Sequence, residues 1–257
     1  MVTQVALVTG SAQGIGEAIA LRFARDGIDV ALLDIHAKQK QLEGIAKKIE
    51  AEGRRALVIL ADVSQEEEVK GAVDKTVETL GGLDIMVANA AVLSVGGILE
   101  LPSDEWKRVQ AVNVEGVMYC YKYAAIQMVK QGRGGRILGM MNAPAYSTSK
   151  FAIRGLTQAV AKELLPHKIT VNTYAPGLIA TPMCAHPDDA INGGYVGATI
   201  KKFAGLPNEL EIAEPSVIAD FVAYLVRPEA YYITGEVVSS FFMLVVNSYC
   251  ERSMYKY

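Results

Sequence analysis

Short apolar runs alternate with amphipathic stretches along most of this chain. Val5-Ala6-Leu7-Val8 is apolar at every position and predicts a buried strand. Ile15, Ile19 and Phe23 then recur at helical spacing, with Glu17, Arg22 and Arg25 elsewhere around the helix, until Gly27 stops it. A strand from Val30 to Leu33 ends at Asp34; a helix with Leu42, Ile45 and Ile49 inward closes at Gly53; a third strand runs from Ala56 to Leu60. Ser64 and Glu67 predict a capping box ahead of a helix carrying Val69, Val73, Val77 and Leu80. Further strands are expected at Ile85 to Val87, Ile137 to Met140 and Ile169-Thr170-Val171. Before the last of these, Ile153, Leu156, Val160 and Leu164 line one helix face, opposite Arg154, Gln158 and Lys162. Pro215 and Ser216 open a helix with Ile218, Phe221, Val222 and Leu225 inside, and a final strand is expected from Tyr231 onward.

Strands that are apolar throughout and separated by helices imply a parallel sheet covered on both faces. The expected fold is therefore α/β, a Rossmann-type doubly wound sheet, with residues 1–257 forming one domain. Such a sheet binds its ligand at the carboxyl ends of its strands. Composition agrees with a large core: 51% of residues are hydrophobic and 21% charged. A formal charge of -3 leaves no basic footprint, so nucleic acid is not an expected partner. The longest apolar stretch, Val237 to Val246, is shorter than the roughly 20 residues a bilayer requires, so no membrane span is expected. Cys120, Cys184 and Cys250 are odd in number and widely spaced, and the start of the chain has no basic leader; both suit the cytoplasm. The three histidines have no metal-ligand spacing, and no metal is expected.

The first strand-to-helix turn is Thr9-Gly10-Ser11-Ala12-Gln13-Gly14-Ile15-Gly16. Glycines there allow a sharp turn and close backbone approach to a pyrophosphate, whose charge meets the positive end of the helix. Asp34, ending the second strand, is placed to accept hydrogen bonds from the adenosine ribose hydroxyls and to repel a 2′-phosphate. No arginine is expected nearby to reverse that preference; Lys38 is the nearest cation and is expected to be a solvated helix residue. The expected cofactor is NAD.

The glycine spacing, three residues and then one, resembles the short-chain dehydrogenase/reductase family, and further marks follow in the family's order. Asp62-Val63 looks like its pair beside the adenine ring, Asn89-Ala90-Ala91 like its turn after strand four, and Asn113-Val114-Glu115-Gly116 like its proton-relay motif. Tyr146-Ser147-Thr148-Ser149-Lys150 matches the family's Tyr-x-x-x-Lys, and Pro176-Gly177 with Thr181 its nicotinamide loop. The resemblance implies a cofactor site formed by Gly10, Ser11, Gln13, Gly14, Ile15, Gly16, Asp34, Asp62, Val63, Asn89, Tyr146, Lys150, Pro176, Gly177 and Thr181. It implies that Tyr146 exchanges the substrate proton. A free phenol has a pKa of about 10, and the charge of Lys150, one turn on, lowers it. Asn113 would hold a relaying water.

Two departures stand out. The family carries a serine just past the fifth strand, which donates to the substrate oxygen. Here a segment is missing, only Ala143-Pro144-Ala145 separates Asn142 from Tyr146, and Asn142 takes the serine's place. Its amide is able to donate if the short, extended connection aims it correctly. Second, Tyr232-Ile233-Thr234-Gly235 is family-like, but the tail over residues 236–257 is not. It puts Phe241, Phe242, Met243 and Leu244 where a polar glycine turn belongs. Family members pack this terminal strand in a tetramer interface, so a homo-oligomer, nominally a homotetramer, with a weakened interface is expected.

From Tyr146 to Met183 the chain looks most like acetoin/diacetyl reductases (butanediol dehydrogenases), implying a small carbonyl or alcohol substrate. A substrate lid is expected over residues 184–207, and Val92, Leu93, Met140 and Met141 are candidates for an apolar wall. The alternatives are an NAD-binding protein without catalysis and a reductase of another carbonyl or polyol. His186 is expected to be a plain loop residue.

Overall fold

The computed structural model describes residues 3–93, 101–140, 144–203, 206 and 211–239; for Met140, residues 144–150 and Ser239 it describes the backbone alone. Seven strands form one sheet: β1 (Val5–Thr9), β2 (Asp29–Asp34), β3 (Ala56–Leu60), β4 (Ile85–Ala88), β5 (Gly135–Met140), β6 (Ile169–Ala175) and β7 (Val237–Ser239). Their order is β3-β2-β1-β4-β5-β6-β7, with every pairing parallel. The order reverses direction between β1 and β4, and the two halves leave a crevice beyond the carboxyl ends of those strands. This is the expected Rossmann-type sheet.

Both faces of the sheet are covered, which explains the uniformly apolar strands. Ala6, Val8, Val30 and Leu32 face one side. There they meet α1 (Gly14–Arg25), α2 (Gln39–Ala51) and α9 (Pro215–Leu225) through Ile19, Phe23, Leu42, Ile49 and Val222. Val5, Leu7, Ala31 and Leu33 face the other side. Their partners are α3 (Glu66–Leu80), α5 (Gly116–Gln131) and α6 (Pro144–Leu164), through Val69, Val73, Tyr121, Ala124 and Ile153. α4 (Ser103–Gln110) leads into α5 through a π-helical turn, Ala111–Glu115. Two short helices, α7 (Asp189–Asn192) and α8 (Ala198–Phe203), lie between β6 and α9.

Two expected details are different. No capping box forms at Ser64 and Glu67: the helix is capped at Gln65 without a side-chain bond, and the Ser64 hydroxyl donates instead to Asp62 Oδ1 (2.8 Å). Glu68, one residue later than expected, reaches back to accept from the Asp62 amide (2.8 Å). The local Asp62–Ser64 turn outcompetes the cap because the aspartate accepts both the Ser64 N–H and its hydroxyl. The last strand also begins later than Tyr231. Tyr231 and Tyr232 lie in an exposed turn, and pairing with β6 starts at Val237.

Candidate active site

Beyond β1 the chain turns through Gly10 and Gly14 at φ of +64° and +60°, a region that side chains with a Cβ rarely adopt. A Cβ on Gly10 would lie 2.8 Å from the Ala90 Cα, and one on Gly16 would collide with the Gly10 carbonyl oxygen. Gly16 thus lets α1 dock directly on the turn. Asn89, just past β4, stitches the turn from the other side: its Nδ2 donates to the carbonyls of Thr9 (3.0 Å) and Gly10 (3.2 Å). The Thr9 hydroxyl accepts the amides of Asn89 and Ala90, both at 3.0 Å. Gln13 occupies the N-cap of α1 in an extended conformation, and no side-chain bond caps the helix. An uncapped helix start behind a close-approach glycine turn fits a pyrophosphate.

Asp34 ends β2 at the rim of the same crevice. Its Oδ2 accepts the Ala12 amide (3.0 Å) and its Oδ1 the Ile35 amide (2.9 Å). The carboxylate is therefore locked onto the glycine turn, and each oxygen keeps a lone pair for a further donor. Gly10, Gln13, Gly14, Ile15, Asp34, Asp62, Val63, Asn89 and Thr181 all contribute to one cleft of about 420 Å³. Ser11 and Gly16 lie behind that wall. Ser11 is fully buried, donating through both its amide and its hydroxyl to the Leu33 carbonyl. Pro176 and Gly177 are likewise outside the wall. They lead to Thr181, whose loop is pinned where Ala180 donates to the Ala213 carbonyl and Ala213 to that of Leu178. Thr181 then packs over Gly14 and closes one end of the cleft.

Lys38 is not the solvated residue the sequence suggests. It is half-buried on the cleft wall, its ammonium donating to Gln13 Oε1 at 2.8 Å. Nor is the cleft free of arginine: Arg108 of α4, in a bidentate pair with Glu105, also lines it. Sequence distance hid both, since Gln13 and Lys38 meet across a β-α crossing and Arg108 arrives from α4.

Asn113 is completely buried in the π-helical turn. Its Oδ1 accepts the Val92 amide and its Nδ2 donates to the Val92 carbonyl, both at 2.9 Å. The widened turn aims this amide sideways at the strand-four loop. The side chain thus clamps Val92, which lines the cleft, and keeps one N–H and one lone pair for another partner.

Tyr146 and Lys150 sit one turn apart in the first two turns of α6, and their side chains lie outside the described residues. Asn142 and Met141 lie outside them altogether, as does the tail from residue 240. The bounds of β5 and α6 leave residues 141–143 as the whole connection between them.

After Thr181 the chain folds around one carboxylate. Asp189 accepts the amides of His186 (2.9 Å), Gly197 (3.0 Å) and Thr199 (2.9 Å). Those donors, with Thr199 foremost, hold its carboxyl well below the usual carboxylate range. His186 is exposed and contributes its amide here, consistent with a loop residue. Cys184 is a free thiol that burial pushes upward, away from a reactive thiolate.

The model of the short chain dehydrogenase family matches residues 4–191. The chain belongs to the short-chain dehydrogenase family. A short-chain dehydrogenase/reductase of Armillaria gallica is 44% identical over 92% of this chain and 94% of its own length. The L-2,3-butanediol dehydrogenase of Corynebacterium glutamicum is 36% identical over 92% and 96%. The structure of an acetoin dehydrogenase from Salmonella typhimurium superposes with a TM-score of 0.79 at 33% identity, covering 94% of this chain and 96% of that one. The protein is thus an oxidoreductase, and as a short-chain dehydrogenase it uses a nicotinamide dinucleotide on a small-molecule substrate. Among the described residues no cluster of metal-ligating side chains occurs, and no helix is long and apolar enough to cross a membrane.

Proposed function

We propose that this protein is an NAD(H)-dependent reductase of small ketones or diketones, acetoin- and diacetyl-like, whose chemistry is slow relative to its cofactor binding. The observation that carries the cofactor choice is Asp34, an anionic carboxylate fixed by Ala12 and Ile35 at the rim of the glycine turn. Desolvating a ribose 2′-phosphate beside that charge is unfavourable, whereas two ribose hydroxyls satisfy its remaining lone pairs. Gly10, Gly14 and the start of α1 would hold the pyrophosphate, Asp62 and Val63 the adenine, and the Pro176–Thr181 loop the carboxamide. A bound nicotinamide supplies or accepts the hydride.

Tyr146 donates or accepts the proton at the substrate oxygen, Lys150 favours its phenolate, and Asn113 links the site to solvent. Asn142 stands where a second donor to the substrate oxygen belongs. Residues 184–207 act as the lid, organised by Asp189. The substrate class draws support from the butanediol and acetoin dehydrogenases among the similar proteins. A cytoplasmic homo-oligomer, weakened at the interface by the tail of residues 236–257, completes the reading.

The second reading is a cofactor-binding protein without turnover. It is favoured by the sequence before Tyr146, where the family's serine is absent and only Ala143-Pro144-Ala145 follow Asn142. Titration of the protein with NADH and NADPH, followed by nicotinamide fluorescence, tests the cofactor choice. NADH should bind more tightly, and Asp34→Asn, which keeps an acceptor for Ala12, should narrow the gap. Equal or tighter NADPH binding by the unmodified protein would refute the assignment.

A further inference from the structure

Lys38 is held in an unusual place for a lysine. Its ammonium usually remains in water on a flexible stem, because fixing that stem costs side-chain entropy. Here it is half-buried on the cleft wall and tethered to the neutral amide of Gln13, the residue immediately before Gly14. Among the described residues no carboxylate pairs with it, whereas Arg108 on the same wall is neutralised by Glu105. Asp34, four residues earlier, is occupied by backbone amides and forms no ion pair with Lys38. The adenosine end of the cleft therefore presents two opposite charges, each held by a separate tether and not spent on the other.

We propose that Lys38, positioned by Gln13, is a second specificity-determining residue for the cofactor: a cation that attracts a ribose 2′-phosphate and whose pull is overridden by Asp34. This rests on the dinucleotide reading of the cleft. Discrimination against a 2′-phosphate is then a balance of two built-in charges. Removing the Asp34 charge converts the site towards the phosphorylated ligand without any new basic residue.

The test uses ADP-ribose and 2′-phospho-ADP-ribose, which probe the adenosine end without a reacting nicotinamide, in calorimetric titrations of the whole protein. Five forms are compared: unmodified, Asp34→Asn, Lys38→Gln, and Asp34→Asn combined with either Lys38→Gln or Lys38→Arg. A charge-assisted hydrogen bond to phosphate corresponds to about a tenfold or greater change in affinity. Asp34→Asn should bind 2′-phospho-ADP-ribose at least about tenfold more tightly than the unmodified protein does. Adding Lys38→Gln should remove most of that gain while affecting ADP-ribose far less. Lys38→Arg should retain the gain, and the part due to Lys38 should shrink as salt rises. If the two ligands respond equally to Lys38→Gln in the Asp34→Asn background, or neither responds, the role of Lys38 is overturned. If ADP-ribose fails to bind the unmodified protein, the dinucleotide reading itself falls, which is a different result.

Discussion

The Tyr174 hydroxyl on β6 donates to Asn89 Oδ1 at 3.1 Å, joining the second half of the sheet to the glycine turn of the first. Tyr174 is among the largest fully buried side chains, and Asn89 spends its other amide atom on the Thr9 and Gly10 carbonyls. The orientation of the glycine turn thus depends on a phenol contributed from the far side of β4 and β5. Tyr174→Phe keeps the ring and leaves Asn89 Oδ1 without this donor. Stability should fall by about 1–2 kcal/mol, the usual cost of a lost buried partner. Urea denaturation measures it, and NADH affinity should fall alongside because the turn loses a support.

Two glycines give opposite outcomes on the same substitution. Gly16→Ala drives a Cβ into the Gly10 carbonyl, whose backbone atoms cannot swing aside, and against Asn89 Nδ2. It should destabilise by about 1–3 kcal/mol and abolish tight NADH binding. Gly44, exposed on α2, has nothing within 4 Å of an added Cβ. Gly44→Ala should stabilise by about 0.5–1 kcal/mol through helix propensity alone. Denaturation curves for the pair, with NADH titrations, check both.

Asp189 makes the segment over residues 184–203 sensitive to acid. Its carboxyl is lowered in the folded protein by the Thr199, His186 and Gly197 amides. A depressed folded-state value means that the contribution is fully present above the ordinary aspartate range and is lost as pH falls through and below it. At neutral pH the segment should be ordered, and acidification below about pH 4 should loosen it. Asp189→Ala should produce the loosening at neutral pH. Hydrogen exchange at the Gly197 and Thr199 amides reads this directly, the expected result being faster exchange in the variant.

The sheet, its order of elements and the cleft were legible in the sequence because they rest on local signals. β1 to β3 and α1 to α3 each carry an apolar run or a 3.6-residue period, and the glycine turn with Asp34 marks the ligand end. What escaped was assembled across the fold. Lys38 reads as solvated because its partner, Gln13, is 25 positions away. Arg108 reaches the cleft from α4, and Tyr174 looks like one more apolar strand residue until its hydroxyl meets Asn89. The clamp of Asn113 on Val92 depends on a π-helical turn that residue periodicity does not reveal. Ser64 failed as a cap because Asp62, two residues earlier, captured it first.

The most direct measurement sets NADH affinity beside diacetyl turnover in one preparation of the unmodified protein, then repeats both after loop repair. Gly10, Gly14, Asp34, Asp62 and Asn89 line one cleft, so on the proposed reading NADH should bind tightly. Turnover should be low on the proposed reading, in which the family's serine is missing and only Ala143-Pro144-Ala145 separate Asn142 from Tyr146, since small errors in placing a reacting group cost rate steeply. Losing one such donor costs about 2.7–4 kcal/mol, or roughly 10²–10³ in rate. Asn142→Ser alone should recover little, since it corrects the donor and not the placement of Tyr146. A longer connection carrying a serine should raise turnover by roughly 10² or more with NADH affinity little changed. The contradicting result is an unmodified protein that reduces diacetyl at about 10 per second or faster, with Tyr146→Phe abolishing the activity.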